Sequence, residues 1–164
     1  MLDNYSEVTA IMEVLLNPGS TTKFFKALTH DYILEVLDSG VYEQMFQRIT
    51  VIKLDQIPVM LNLSSTSIHN NVFMDILQSS LTTPIGKRLF ASGSKICRSE
   101  MTIKHTIVNN INNQIIAGYL RALKIDNELC YRCSIFKSEQ ETMQLSEYVL
   151  PGLEEILSKY KQNL

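Results

Sequence analysis

No stretch of this 164-residue chain is apolar for long enough to span a bilayer. Basic residues are not in excess: the net charge is −2, which argues against a nucleic-acid-binding surface, because neutralising phosphates needs a positive balance. There is no internal repeat and no low-complexity linker. The glycine patterns that cradle nucleotides are missing, as are H-E-x-x-H and G-x-S-x-G, so cofactor-driven chemistry is not signalled. The opening MLDNYSEVTA is acidic and polar, unlike a secretory signal or an Arg-rich transit peptide. The expectation is a protein that works where it is made. Its many Ile, Asn and Lys residues hint at an AT-rich genome, hence a plastid stroma or a bacterial-type cytoplasm.

Cysteine is scarce too, with three in all. Cys130-Tyr-Arg-Cys133 is a CxxC, but it lies inside LCYRCSIF, which reads as a strand. Residues three apart on a strand point to opposite faces, so these sulfurs cannot share a metal or close a disulfide. A zinc site would want four well-spaced ligands, and there is no second CxxC. Buried structural cysteines are expected, and neither a metal nor a cofactor.

What is present is an ordinary globular composition: 45% hydrophobic, 20% charged, mean hydropathy +0.01. The length suits one domain over 1–164 with a single buried core. Val8, Ile11, Met12, Leu15 and Leu16 recur at helical spacing, and Asn17-Pro18-Gly19 stops that helix. Ser20 can cap a second helix through Leu28. Strands are expected over 32–38 and 41–46 around a Ser39-Gly40 turn, then over 46–54 and 57–64 around an Asp55-Gln56 hairpin. A helix over 68–79 precedes a second one opened by Thr83-Pro84-Ile85-Gly86, whose Gly permits close approach of backbone to a neighbour or ligand. Residues 95–106 alternate like a half-exposed strand, and 107–115 is a loop or a short helix. A second hairpin is expected from 117–125 and 129–137 across Asp126-Asn127. Pro151 opens a terminal helix with Glu154 and Glu155 in its first turns, as the helix dipole favours. Hairpins in series with helices between them predict an α+β fold: an antiparallel sheet of about six strands with helices packed on one face.

The order of these elements, with several local strings, resembles the chorismate pyruvate-lyase family, above all its archaeal, cyanobacterial and plastid branch. Ser20-Thr21-Thr22-Lys23 matches the family's flap string, and Arg48 in FQRITVIK falls where that family carries a carboxylate-gripping Arg. Pro58 follows ten residues later, and Thr83-Pro84-Ile85-Gly86 matches the family's Thr-Pro-Leu-Gly, with Ile85 in place of a cavity-lining Leu. The resemblance covers nearly the whole chain. It implies a chorismate-lyase-like fold and a closed cavity for a small aromatic acid, chorismate or 4-hydroxybenzoate. It also implies a metal-free elimination of pyruvate that supplies quinone biosynthesis. Thr21, Ile85, Gly86, Arg48 and Arg132 are the implied substrate contacts. Arg48 and Ser134 are the implied catalytic pair.

Ser134 is the departure. Aligned on Phe136, the family's Glu is replaced by this Ser, which can hydrogen-bond a hydroxyl but cannot supply a carboxyl group's charge or proton. Arg132 shares its face and changes the local electrostatics. Three readings follow: a lyase, a binding protein that kept the cavity and lost the chemistry, or a structural factor whose cavity is filled by side chains.

Overall fold

The computed structural model describes residues 14–15, 21–79, 85–91 and 96–160. In chain order its elements are α1 (Thr21–Leu28), β1 (Tyr32–Tyr42), β2 (Met45–Leu54), β3 (Ile57–Ser67), α2 (Asn71–Ser79), α3 (Ile85–Ala91), β4 (Cys97–Ile107), a 3-10 turn (Val108–Asn110), α4 (Gln114–Ala122), β5 (Glu128–Ser138), β6 (Glu141–Val149) and α5 (Gly152–Tyr160). The six strands make one antiparallel sheet in the order β1-β2-β3-β6-β5-β4. The α+β class and strand number are those expected. Among the described residues no helix is long and apolar enough to cross a membrane.

The Asp55-Gln56 hairpin forms as expected. Both residues have positive φ, 50° and 67°, the conformation that matches the right-handed twist of flanking strands. Ser39-Gly40, however, is not a turn. It runs inside β1, with Ser39 opposite Arg48 and Gly40 opposite Gln47, while the reversal falls at Glu43-Gln44 (φ 47° and 66°). A register shift between Val36 and Asp38 absorbs the irregularity there.

The second hairpin is also placed differently. Residues 117–125, expected as a strand, belong mainly to α4, whose N-cap Asn113 accepts from the backbone N–H groups of Ile115 and Ile116. Ile116, Ala117 and Leu120 form its buried stripe at helical spacing. The true partner of β5 is β6, joined through Glu139-Gln140 with Glu139 at φ 52°. The ambiguous 107–115 segment resolves into the 3-10 turn and this cap. The helix expected from 68 begins at Asn71. Of the first expected helix only Val14 and Leu15 are described, both helical and buried. The Ser20 cap and Thr83-Pro84 lie outside the described residues.

Alternation along β2 decides the layers. Phe46, Ile52 and Leu54 join α1, α2, α3 and α5 in two apolar clusters on one face, where the helices gather. Ile49 and Val51 point the other way and meet α4 and the 3-10 turn through Ile116, Leu120 and Val108. β2 is thus buried on both faces, with apolar residues on each despite the interruptions at Gln47, Arg48, Thr50 and Lys53.

Two contacts fix α5 to the sheet. A Cβ on Gly152 would lie 2.6 Å from Ile57 Cγ2 and closer still to the Pro58 carbonyl oxygen, so only glycine fits where α5 leaves the sheet. At the other end Asp55 accepts from Lys159 Nζ, Tyr160 OH and Thr29 Oγ1, each at 2.7 Å, joining the hairpin to α5 and to the end of α1. Gly152→Ala is expected to cost about 1–3 kcal/mol in urea unfolding, the usual penalty for an added methyl with no room. The hydrogen bonds from Lys159, Thr29 and Tyr160 hold the Asp55 carboxyl down to about 2, below its ordinary 3.8. A depressed folded-state value means the contribution is complete above 3.8 and is lost as pH falls towards about 2. Asp55→Asn should therefore lower stability at neutral pH and flatten the acid arm of a stability-versus-pH curve in that window. An acid arm identical to wild type would remove Asp55 from this role.

Candidate functional site

Strand pairing places two rows of side chains next to each other on the face where the helices gather. Thr50, Asn62, Glu147 and Arg132 stand opposite one another on β2, β3, β6 and β5. Two positions along each strand, the adjacent row holds Arg48, Ser64, Leu145 and Ser134. Above these rows lies a cavity of about 310 Å³, at the small end of ligand sites. Thr21, Thr22, Ile85, Gly86 and Leu89 close it from α1 and α3, and Phe136 and Ile96 form an apolar wall.

Four of the six residues singled out from sequence meet here. Arg48, Thr21, Ile85 and Gly86 all line the cavity. Arg48 is 1% exposed on central β2. Burial brings its guanidinium down to about 10, with Tyr32 pulling the other way, so it remains a cation at neutral pH. Burial likewise pushes the Tyr32 phenol up, with the nearby Thr22 hydroxyl and the charge of Arg48 pulling the other way. Gly86 lines the cavity, and no atom of the described residues outside its own helix and chain neighbours lies within 4 Å of where a Cβ would be.

Arg132 and Ser134 are buried but are not among the cavity-lining residues. The Ser134 hydroxyl is buried with no hydrogen-bond partner among the described residues. Arg132 is turned to Glu147, donating from Nε to Oε2 at 2.6 Å and from Nη2 to Oε1 at 2.9 Å. This is a two-point fork on a carboxylate, the strong geometry for such a pair. Its remaining donors reach up: Nη1 to the Leu15 carbonyl at 3.0 Å and Nη2 to Thr21 Oγ1 at 2.9 Å. One buried ion pair therefore ties the segment above the cavity to the sheet beneath it.

Glu147 and Arg98 are the residues that sequence reading missed. Glu147 lines the cavity and brings a carboxylate from β6, the strand next to Ser134. Its signal was available: Met143, Leu145 and Val149 alternate as one apolar face, interrupted only by this acid. Arg98 also lines the cavity and donates from Nη2 to Glu147 Oε2 at 3.3 Å. Thr21 Oγ1 contacts Glu147 Oε1 at 3.4 Å.

Cys130 and Cys133 point to opposite faces as the strand pattern implies, but the cysteines are not buried as expected: Cys97 is exposed near the start of β4, and Cys130 and Cys133 are half-buried. Cys130 Sγ lies 3.2 Å from His105 Nδ1, while Cys133 Sγ turns to Ser146 on the opposite face. No group of three or more His, Cys, Asp or Glu is arranged to hold a metal ion among the described residues.

No protein-family model matches the sequence, and no curated protein matches it. Similarity appears at the level of solved structures. The effector domain of PhnF from Mycobacterium smegmatis superposes with a TM-score of 0.60 at 12% identity, covering 83% of this chain and 91% of that one. The C-terminal domain of the histidine utilization repressor from Pseudomonas syringae pv. tomato str. DC3000 gives 0.52 at 12% identity, covering 73% and 92%. Against the longer PhnF chain the TM-score is again 0.60, and the match spans 65% of its length. These domains share the chorismate-lyase-like fold. At such identities the likeness shows the fold alone.

The buried pair generates a prediction. Arg132→Met leaves Glu147 only the longer Arg98 and Thr21 contacts and should cost about 3 kcal/mol, the low end for breaking a buried pair, whereas Arg132→Met with Glu147→Leu should recover part of that loss. Hydrogen exchange over residues 21–28 should quicken in the single variant. Unchanged exchange there would mean that α1 is held by something other than Arg132.

Proposed function

We propose that this domain binds a small aromatic acid in the cavity over β2, β3 and β6, with Arg48 gripping its carboxylate. The carrying observation is Arg48 itself: a buried guanidinium on a central strand, aimed into a space with apolar walls. A planar fork suits a carboxylate at two points, and Leu34, Ile52, Ile85 and Leu145 offer a surface for a ring. An open cavity of this size also weighs against a purely structural role with the space filled by side chains. That the neighbouring folds include a PhnF effector domain and the ligand-binding domain of a Bordetella bronchiseptica protein assigned to the GntR family of transcriptional regulators supports binding as the activity.

A lyase reading draws on Glu147, because a carboxylate does reach the cavity although Ser134 stands at the expected place. Eliminating pyruvate from chorismate to give 4-hydroxybenzoate would need that group to meet the substrate. A carboxylate has about four acceptor positions. Here all four are taken, two by Arg132, one by Arg98 and one by Thr21. The acid is engaged in holding the wall together, which favours binding over turnover.

Calorimetry with 4-hydroxybenzoate should show saturable binding, and Arg48→Gln should weaken it about tenfold to a hundredfold, the worth of a charge-assisted contact. Equal affinity in the variant would end the carboxylate role of Arg48. In a coupled lactate dehydrogenase assay with chorismate, little or no pyruvate is expected; robust turnover would restore the lyase reading.

A further inference from the structure

We infer that the cover of the cavity is an electrostatic collector: it draws anions inward and sets how fast a ligand is captured rather than how tightly it is held. The inference rests on the cavity being the ligand site. Its starting point is how charge is distributed along the chain. Residues 14–30 and 76–99 hold six of the fifteen basic residues, Lys23, Lys26, Lys87, Arg88, Lys95 and Arg98, and none of the seventeen acids. The rest of the chain, with nine basic residues against seventeen acids, carries −8. A protein of net charge −2 thus gathers a positive pole in two stretches. The helices that close the cavity, α1 and α3, both come from them.

The fold sets these cations beside the cavity. Thr22 and Gly86 line it, and the next residue in each helix, Lys23 and Lys87, is exposed. Lys26, one turn after Thr22, is exposed as well, and its Nζ lies 5.1 Å from the centroid of the Tyr32 ring, itself part of the cavity wall. Arg88 is half-buried and donates from Nη2 to the Ser79 carbonyl at 2.9 Å, a contact that positions the group and leaves its charge in place. Among the described residues the one acid lining the cavity is Glu147, and Arg132 already forks both its oxygens. Charge of one sign around a recess with low-dielectric walls focuses the field and raises the rate at which opposite charges arrive. Exposed lysines act through water and are screened by salt, whereas a buried contact in the bound state is screened much less. Charges at a rim accordingly change association and its salt dependence, and buried pairs change dissociation.

Fluorine NMR line shapes of 4-fluorobenzoate titrated with the protein give kon and koff separately. Between about 10 mM and about 300 mM sodium chloride, kon should fall about threefold to tenfold while koff moves less than about twofold. In the triple variant Lys23→Gln, Lys26→Gln, Lys87→Gln, kon at low salt should drop to about the high-salt value of wild type, with koff again unchanged. The control triple variant Lys104→Gln, Lys124→Gln, Lys137→Gln removes the same charge from exposed positions outside both stretches and should leave kon within about twofold of wild type. A salt-independent kon in wild type, or an equal loss of kon in both triple variants, would overturn the collector and leave the cavity reading standing. A change confined to koff in the cover variant would overturn it too, because those lysines would then be contacts of the bound state. Absence of 4-fluorobenzoate binding in wild type would take down both readings. Matching thermal transitions for the variants exclude unfolding as the cause.

Discussion

The buried pair between Arg132 and Glu147 is the interaction on which the site depends. Taking two charges out of water is costly, and the cost is offset only where geometry is good and the remaining donors and acceptors are satisfied. Both conditions hold here. The fork engages both carboxylate oxygens, and the other arginine donors find the Leu15 carbonyl and Thr21. Because those last partners belong to the chain above the cavity, satisfying the pair and covering the cavity are one event. An apolar pair of equal volume could fill the same space, but it would give the segment around Thr21 no directional tie to the sheet.

The polar row beneath the cavity has a second consequence. Thr50, Asn62, Glu147 and Arg132 cross four adjacent strands in register, while the clusters to either side are apolar. A polar band of this kind cannot be closed over by aliphatic side chains without leaving groups unpaired. Apolar clusters can therefore collapse at both ends of the sheet face, with Phe25 and Leu153 in one and Phe73 and Leu77 in the other. Between them the row keeps an opening. On the reverse face α4 closes directly onto Ile49, Val51 and Leu61.

How much of this was legible in the sequence follows from where local and tertiary signals agree. The Asp55-Gln56 hairpin is local and was readable, whereas Arg48 was singled out by its place in the resemblance. Thr21, Ile85 and Gly86 reached the cavity through the resemblance of their strings rather than through any periodicity. Ser39-Gly40 misled because a turn-prone pair runs in regular register opposite Arg48 and Gln47 in an edge strand, where tertiary pairing overrides propensity. The run Ile115–Leu120 misled because β-branched residues and Gly weaken a helix signal, although Asn113 two positions earlier is a strong cap. Displacing the second hairpin by one element left β6 unassigned, and with it Glu147. An acid that lines the cavity was thereby overlooked on the strand next to Ser134. Arg98 was missed for a different reason: on an edge strand with alternating polar residues, an Arg reads as solvent-facing. Its pairing opposite Phe136, beside an irregular stretch of β4, puts it on the cavity face.

Sharing a fold with effector domains leaves open what any one cavity selects, because function resides in the side chains grafted on the fold. In this cavity the decisive quantity is hydrogen-bonding capacity. Glu147 has none to spare, so a ligand hydroxyl could be received only by displacing a donor already in place. The cheapest to displace are the two longest contacts, from Arg98 at 3.3 Å and Thr21 at 3.4 Å. Arg132 is too tightly engaged to give way. Binding an anion that draws Arg98 aside would therefore loosen the hold on Glu147 at one point without breaking the pair beneath. Binding that displaces Thr21 would instead disturb the cover of the cavity. The first route preserves the wall that forms the site, and the second dismantles it; the geometry thus favours ligands that bring negative charge over ligands that bring only donors.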